Sequence, residues 1–301
     1  MMCENAVNAR VPVAVPGARG SSPLLKKVAG AVAATAALGA ATAAYGHFIE
    51  LNNFQLRTES LPVLPAGSPD FRILHISDMH MIPGQQKKID FMHSLAALEP
   101  DLVMNTGDNL SHVDGMGPLL EALDPLMDFP GVFVPGSNCY FAPVFKNPAR
   151  YLWQPRTPQM IEEGSRVPLP IERMHDAFEA RGWTGLINRY DTLNLKGLRL
   201  EFSGVDDPHL RYDEHPGFAP GAFDEGEEPS IRIGVAHAPY MRTLHRFVQD
   251  GAQAIFAGHT HGGQVCLPGG HALVSNCDLP PSRAKGVSEQ SGIPVQVSAG
   301  L

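Results

Sequence analysis

The chain has 301 residues, 44% of them hydrophobic, and a formal charge of −8 at pH 7. That is enough apolar material for one large domain or two small ones, and the absence of a long basic run argues against nucleic acid as a partner. Cys3, Cys139, Cys266 and Cys277 are scattered without a CxxC pair, so a zinc ribbon is not expected.

Residues 1–25 contain Pro12, Pro16, Gly17, Gly20 and Ser21-Ser22-Pro23 without apolar periodicity, and read as a disordered tail. Residues 26–46 begin with Lys26-Lys27 and carry an uncharged, Ala-rich run from Val28 to Ala44, long enough to cross or nearly cross a bilayer. The polar stretch ahead of this run favours an uncleaved signal anchor. A signal peptide cut near Ala41-Thr42-Ala43 or Ala44-Tyr45-Gly46 is the second reading, and a buried globular helix the third. Either export reading places the following domain outside the cytoplasm, held at the cell membrane or secreted. Residues 47–69, with Leu61-Pro62-Val63-Leu64-Pro65-Ala66-Gly67, form a linker, and residues 70–301 the domain.

From Phe71 the pattern alternates. Phe71 to Ile76 predicts a strand, and Lys88 to Leu98 a helix with Ile89, Phe91, Met92, Leu95 and Leu98 at helical spacing. Asp101 to Asn105 is a strand, Leu119 to Met127 a helix and Gly131 to Val134 a strand. Phe141 to Arg181 is less regular, holds Arg150, Trp153 and Arg156, and ends in a helix from Pro170 to Arg181. Tyr190 to Leu195 and Leu198 to Val205 flank Lys196-Gly197 and predict a hairpin. Ile231 to Ala236 and Ala254 to Ala257 are strands around a helix from Met241 to Gln249, and Pro294 to Ser298 is a last strand. Strands alternating with helices indicate an α/β architecture with ligands near the strand ends.

Chemistry concentrates where these strands stop. Asp78 and His80 are two apart past a strand and can grip one cation together, or form an exposed loop pair. Asp108 follows Gly107, which permits a sharp turn; the carboxylate can bridge two cations or close an Asx-turn. His259 and His261 flank Thr260 between Gly258 and Gly262-Gly263, a spacing that points to metal. His237, at the end of Ile231 to Ala236, is a ligand candidate because the other pieces exist; alone it reads as a hydrogen-bonded structural histidine. Asp206-Asp207-Pro208-His209 either surrounds the metals, contacts substrate, or is a solvated turn. Cys266 and Cys277 read as free thiols, with one disulfide as the alternative in an exported domain.

The ordered set Asp78-x-His80, Gly107-Asp108-Asn109, Gly136-Ser137-Asn138, His237 and Gly258-His259-Thr260-His261 resembles the calcineurin-like metallophosphoesterase superfamily over Phe71 to Leu301. Gly258 to Gln264 is most similar to its membrane-associated branch with a Gly-His-Thr-His-Gly-Gly-Gln signature. The resemblance implies a four-layer α-β-β-α sandwich. It implies a first divalent metal on Asp78, His80, Asp108 and His261, and a second on Asp108, an amide side chain, His237 and His259. Such ligands suit Mn, Fe or Zn alike. Two cations lower the pKa of a shared water, and the hydroxide attacks phosphorus in line. Asn109 would hydrogen-bond a phosphate oxygen or simply stabilise its turn. The implied activity is hydrolysis of a phosphodiester or pyrophosphate in a small molecule or a lipid or glycolipid headgroup. A weakly catalytic module that binds metal or a phospholigand is the alternative.

Two features depart from the pattern. The family's Gly-Asn-His-Asp or Gly-Asn-His-Glu turn is here Gly136-Ser137-Asn138-Cys139, so the amide ligand is expected from Asn138 by a one-residue shift. The family's histidine is then missing, and His209 is the candidate to supply a proton to the leaving group. The sequence also stops at Leu301, where family members run on through another strand, so a shortened domain is expected.

Overall fold

The computed structural model describes residues 23–49, 52–143, 166–219, 230–263, 265–267 and 271–301. Most of the expected N-terminal tail, the Arg150, Trp153 and Arg156 segment and Gln264 lie outside the described residues. The chain divides into two units, Met1–Asn53 and Phe54–Leu301.

The first unit is helix α1, Pro23–Phe48. Alanines give it a strong helical preference, and Thr35 and Thr42 return their hydroxyls to the carbonyls of Ala31 and Leu38. Lys26–Gly46 has a mean hydropathy of 1.5 and no buried residue among those described, so by length and composition it suits a membrane span or a signal sequence.

The second unit is mixed α/β and contains two principal sheets. In the first, β1 (Ile73–Ile76), β2 (Leu102–Asn105), β3 (Gly131–Phe133) and β4 (Thr184–Gly185) lie side by side, all parallel. In the second the order is β11 (Gly286–Gln290), β12 (Ile293–Val297), β8 (Ala254–Ala257), β7 (Ser230–Val235), β6 (Leu198–Gly204) and β5 (Arg189–Leu195). Its four inner strands are parallel and both edge pairs antiparallel. The β5–β6 hairpin closes on Lys196 and Gly197, both with positive φ (53° and 72°), the geometry that follows strand twist. A separate ribbon pairs β9 (Val265–Leu267) with β10 (His271–Val274).

Strand alternation sorts the apolar residues into three clusters. Leu74, Ile76, Val103 and Phe133 from the first sheet pack with Met92 of α2 (Gln86–Ser94), Leu119 of α3 (Met116–Leu123) and Met174 and Phe178 of α5 (Ile171–Ala180). Leu102, Met104 and Val132 from the opposite face meet Leu200, Phe202, Ile233, Val235 and Phe256 of the second sheet. Ile255, Val295 and Val297 pack with Leu244 and Phe247 of α6 (Met241–Gln249). Both sheets are thus fixed against each other through the middle cluster, and their carboxyl ends are brought together.

Candidate metal centre

Each candidate ligand leaves the carboxyl end of a parallel strand. Asp78 and His80 follow β1, Asp108 follows β2, His237 follows β7, and His259 and His261 follow β8. The loops after β1 and β2 run side by side. Asp78, His80 and Met81 donate their backbone N–H groups to the carbonyls of Gly107, Asp108 and Asn109 at 2.8, 3.0 and 2.8 Å. The loops after β7 and β8 are tied by Gly258 N–H on the His237 carbonyl at 2.8 Å.

Five of these residues have left-handed backbones: Asp78 (φ 55°), His80 (46°), Asp108 (51°), His259 (72°) and His261 (50°). Such conformations cost energy for non-glycine residues and persist where the surroundings over-determine them. The adjoining glycines show how tight that fit is. A Cβ at Gly136 would press on Asp108 Oδ1 and lie 2.6 Å from His237 Cδ2, and one at Gly258 would press on Ser77 Oγ and lie 2.7 Å from Asp78 Oδ2.

The side chains form two groups, Asp78, His80, His261 and Asp108, His237, His259, each drawing on both sheets. In the first, His80 Nε2 is 3.1 Å from His261 Nε2, which is 3.6 Å from Asp78 Oδ1. Asp78 Oδ2 accepts from Ser77 Oγ (2.6 Å) and His259 N–H (2.9 Å), while Oδ1 is buried with no hydrogen-bond partner. In the second group, His237 Nε2 stands 3.3 Å from Asp108 Oδ2 and 3.3 Å from His259 Nδ1. The same Asp108 Oδ2 is 3.9 Å from His80 Nε2, so one carboxylate oxygen faces both groups.

The outward ring nitrogens are held by the fold. His237 Nδ1–H donates to the Thr106 carbonyl at 2.7 Å, His80 Nδ1 meets Ser111 Oγ at 2.9 Å, and His259 Nε2 lies 3.3 Å from the Asn276 carbonyl. These contacts aim the other nitrogen of each ring inward. Burial lowers His80 to about 4, against the pull of Asp108, and drives His259 well below its ordinary range, with His209 and His237 adding to the effect. Both rings therefore present lone pairs at neutral pH, the form a metal requires. Burial works against ionisation of Asp108 and His237 alike, but their mutual attraction wins: the carboxyl is held well below its usual range and the imidazole raised to about 10.

The remaining expected residues take other places. Asn138 donates its backbone N–H to Asp108 Oδ1 at 2.7 Å, and its amide nitrogen is 3.2 Å from His80 Nδ1, so its side chain contacts the first group rather than supplying the expected oxygen to the second. Asn109 is fully buried, with its amide engaged by Asn105 (3.0 Å) and Cys139 Sγ (3.7 Å), a placement that fits its turn-stabilising role and not a contact with phosphate. Asp206-Asp207-Pro208-His209 is no solvated turn, because both carboxylates are buried. Asp207 accepts from the N–H groups of His209 and Leu210, and burial pushes it up to about 7. The His209 ring lies 4.7 Å from that of His259, with Nδ1 at 3.0 Å from Tyr240 Oη. Cys139, Cys266 and Cys277 are free thiols.

Lys88 escaped the sequence reading. It is buried in α2 and donates to the carbonyl of Met79, between Asp78 and His80, at 2.5 Å. It lies on the buried face of α2 with Ile89 and Met92, where its residue type, taken alone, reads as a solvated lysine.

A family model described as calcineurin-like phosphoesterase matches residues 71–263, which include every candidate ligand. The uncharacterized protein YpbG of Bacillus subtilis (strain 168) is 27% identical over 215 residues, 70% of this chain and 69% of that one. The crystal structure of TT1561 of Thermus thermophilus is 12% identical and covers 77% of this chain and 90% of that one, with a TM-score of 0.41. With its family model spanning both strand-end ligand groups, the chain belongs to the calcineurin-like phosphoesterases, generally metal-dependent hydrolases of phosphoesters.

Proposed function

We propose that the chain is a dinuclear-metal phosphoesterase acting on a phosphodiester or pyrophosphate. The observation that carries this reading is the position of Asp108 Oδ2, 3.3 Å from His237 Nε2 and 3.9 Å from His80 Nε2, with a His/Asp group on either side. Asp78, His80, Asp108 and His261 would hold one divalent cation, and Asp108, His237 and His259 the other. The fit is supported by the buried, unpartnered Asp78 Oδ1 and by imidazole nitrogens that converge in each group, His80 Nε2 on His261 Nε2 at 3.1 Å and His237 Nε2 on His259 Nδ1 at 3.3 Å. Bound there, Mn, Fe or Zn would supply a hydroxide nucleophile at neutral pH and positive charge for the phosphoryl oxygens.

The chain's own groups orient this chemistry. Thr106, Ser111 and Asn276 hold the outward nitrogens of His237, His80 and His259. Asn138 acts as a positioning residue: its N–H fixes Asp108, and its amide, turned to present oxygen, would accept from His80 Nδ1–H. His209, against His259, is the group proposed to protonate a poor leaving group.

The three apolar clusters support a four-layer helix–sheet–sheet–helix reading of the domain. Helix α1 supports a single-pass anchor with the domain outside the cytoplasm. On that basis, and on the resemblance of Gly258 to Gly263 to the membrane-associated branch, a lipid or glycolipid headgroup is the proposed substrate class. The altered Gly136-Ser137-Asn138-Cys139 turn, whose Cys139 is fully buried, favours as a second reading a binder with little turnover. Metal analysis together with hydrolysis of bis(4-nitrophenyl) phosphate separates them. Two metals with turnover abolished in Asp108→Ala supports the enzyme; two metals and no turnover of any activated ester supports the binder.

A further inference from the structure

Arg166 makes no salt bridge with a described residue and feels the longer-range attraction of the buried Asp207, which itself interacts with Asp108 and His237 of the centre. Arg166 is placed by backbone pairing with the segment that leaves α4 (Ser137–Tyr140). Ala142 N–H donates to the Val167 carbonyl at 2.9 Å, Leu169 N–H donates to the Tyr140 carbonyl at 2.8 Å, and Phe141 and Pro168 form an antiparallel bridge. That segment starts at the turn whose Asn138 N–H grips Asp108. The Arg166 guanidinium stacks over the Phe141 ring, 5.3 Å from its centroid, and is half-buried.

The neighbouring acids are already engaged. Asp206 accepts from Tyr140 Oη with both oxygens at 2.8 Å, and the oxygens of Asp207 take the N–H groups of His209 (3.0 Å) and Leu210 (3.1 Å). Tyr212 stands edge-on to Tyr140 at 5.5 Å and is 42% exposed, completing an open aromatic wall beside the guanidinium. A stacked guanidinium keeps its N–H edges free, and its planar fork matches two oxygens of a phosphoryl group.

We propose that Arg166 binds a second phosphoryl group of the substrate, which makes the substrate a diphosphate diester. This inference rests on the phosphoesterase reading of the two His/Asp groups. It also accounts for the missing histidine of the Gly136-Ser137-Asn138-Cys139 turn. When water attacks one phosphorus, a P–O bond forms and the anhydride P–O bond breaks toward the other phosphorus. The products are two phosphomonoesters, and the water's protons pass to them or to solvent. A phosphate leaving group departs without general acid help, and a guanidinium in contact with it offsets the charge that develops.

The test is calorimetric titration of the Mn-loaded full chain in detergent with UDP-glucose, CDP-dioleoylglycerol and bis(4-nitrophenyl) phosphate. Arg166→Gln is expected to weaken both diphosphate diesters about tenfold or more and leave the single-phosphorus ester within about twofold, and Arg166→Lys to recover part of the loss. Tighter binding of the CDP-lipid than of UDP-glucose would assign a lipid-borne source, and the reverse a soluble one. Equal Kd values for wild type and Arg166→Gln, or an equal loss for all three ligands, overturns the proposal. Failure of the wild type to hydrolyse any of the three would instead overturn the phosphoesterase reading, and the binding ratios would still decide the role of Arg166.

Discussion

Replacing Gly136 with alanine tests whether the loops after β2, β3 and β7 meet as tightly as a metal centre demands. The added Cβ would press on Asp108 Oδ1 and lie 2.6 Å from His237 Cδ2 and Cγ. Ordinary contact needs about 3.5 Å, so both side chains must retreat by roughly 1 Å. Neither has room, since Asp108 is 4% and His237 0% exposed. Overpacking of this kind costs about 1–3 kcal/mol. A 1 Å retreat also exceeds the roughly 0.2 Å tolerance of a metal–ligand distance, and lesser disturbances around metal ligands already cost about 10–100-fold in affinity. Gly136→Ala is therefore expected to lose about 1–3 kcal/mol of stability in urea titrations of the chelated chain, and at least tenfold in Mn affinity by calorimetry. Gly117→Ala is the control: a Cβ there meets nothing within 4 Å, and it should leave metal binding unchanged. A Gly136→Ala variant that lost stability yet bound Mn like the wild type would refute the reasoning.

The buried Asp207 predicts a pH effect. Its folded-state value, about 7, lies above the ordinary 3.8, so its contribution to stability is full below about pH 4 and is lost as pH rises through 7. In chelated protein Asp207→Asn should gain on the wild type over that window, and an unchanged slope in urea titrations would contradict the assignment. Saturating Mn at about 100 times Kd should add about 2.7 kcal/mol to the stability of the wild type, an increment that should shrink in Asp108→Ala; differential scanning calorimetry with and without chelator measures both. His209→Gln should slow an alkyl phosphodiester by about 10²-fold or more while costing a 4-nitrophenyl ester far less. Equal losses on the two esters would remove His209 as the proton donor.

Much of the architecture was legible because period and position coincide. The helix Met241–Gln249 and the strand Ala254–Ala257 lie where the pattern puts them, and the Lys196-Gly197 turn joins its two strands as expected. The helix predicted from Leu119 to Met127 instead runs from Met116 to Leu123, because Pro118 suits a first helical turn and the Asp124-Pro125 step disfavours continuation. The predicted Lys88–Leu98 helix ends its α-helical part at Ser94 and tightens into a 3₁₀ turn over Leu95–Leu98. The two-residue strand Thr184–Gly185 and the Val265–Leu267 ribbon were missed, since such short segments carry no periodic signal. In the site, residue types and strand-end positions brought out six side chains that converge in space. Their supports did not show: the Thr106 carbonyl under His237 is backbone and leaves no trace in composition, and Lys88 is indistinguishable from a solvated lysine until the Met79 carbonyl is seen beneath it. The amide of Asn138 was legible as a residue near the centre but not as a partner of His80, because a turn fixes position and leaves side-chain direction open.

The central claim is that Asp108 stands between two cations. Crystals of the full chain grown with Mn and measured at the Mn absorption edge would test it most directly. Two anomalous peaks flanking the Asp108 carboxylate, one against Asp78, His80 and His261 and the other against His237 and His259, are the predicted result. A single peak, or none within reach of Asp108, would contradict it.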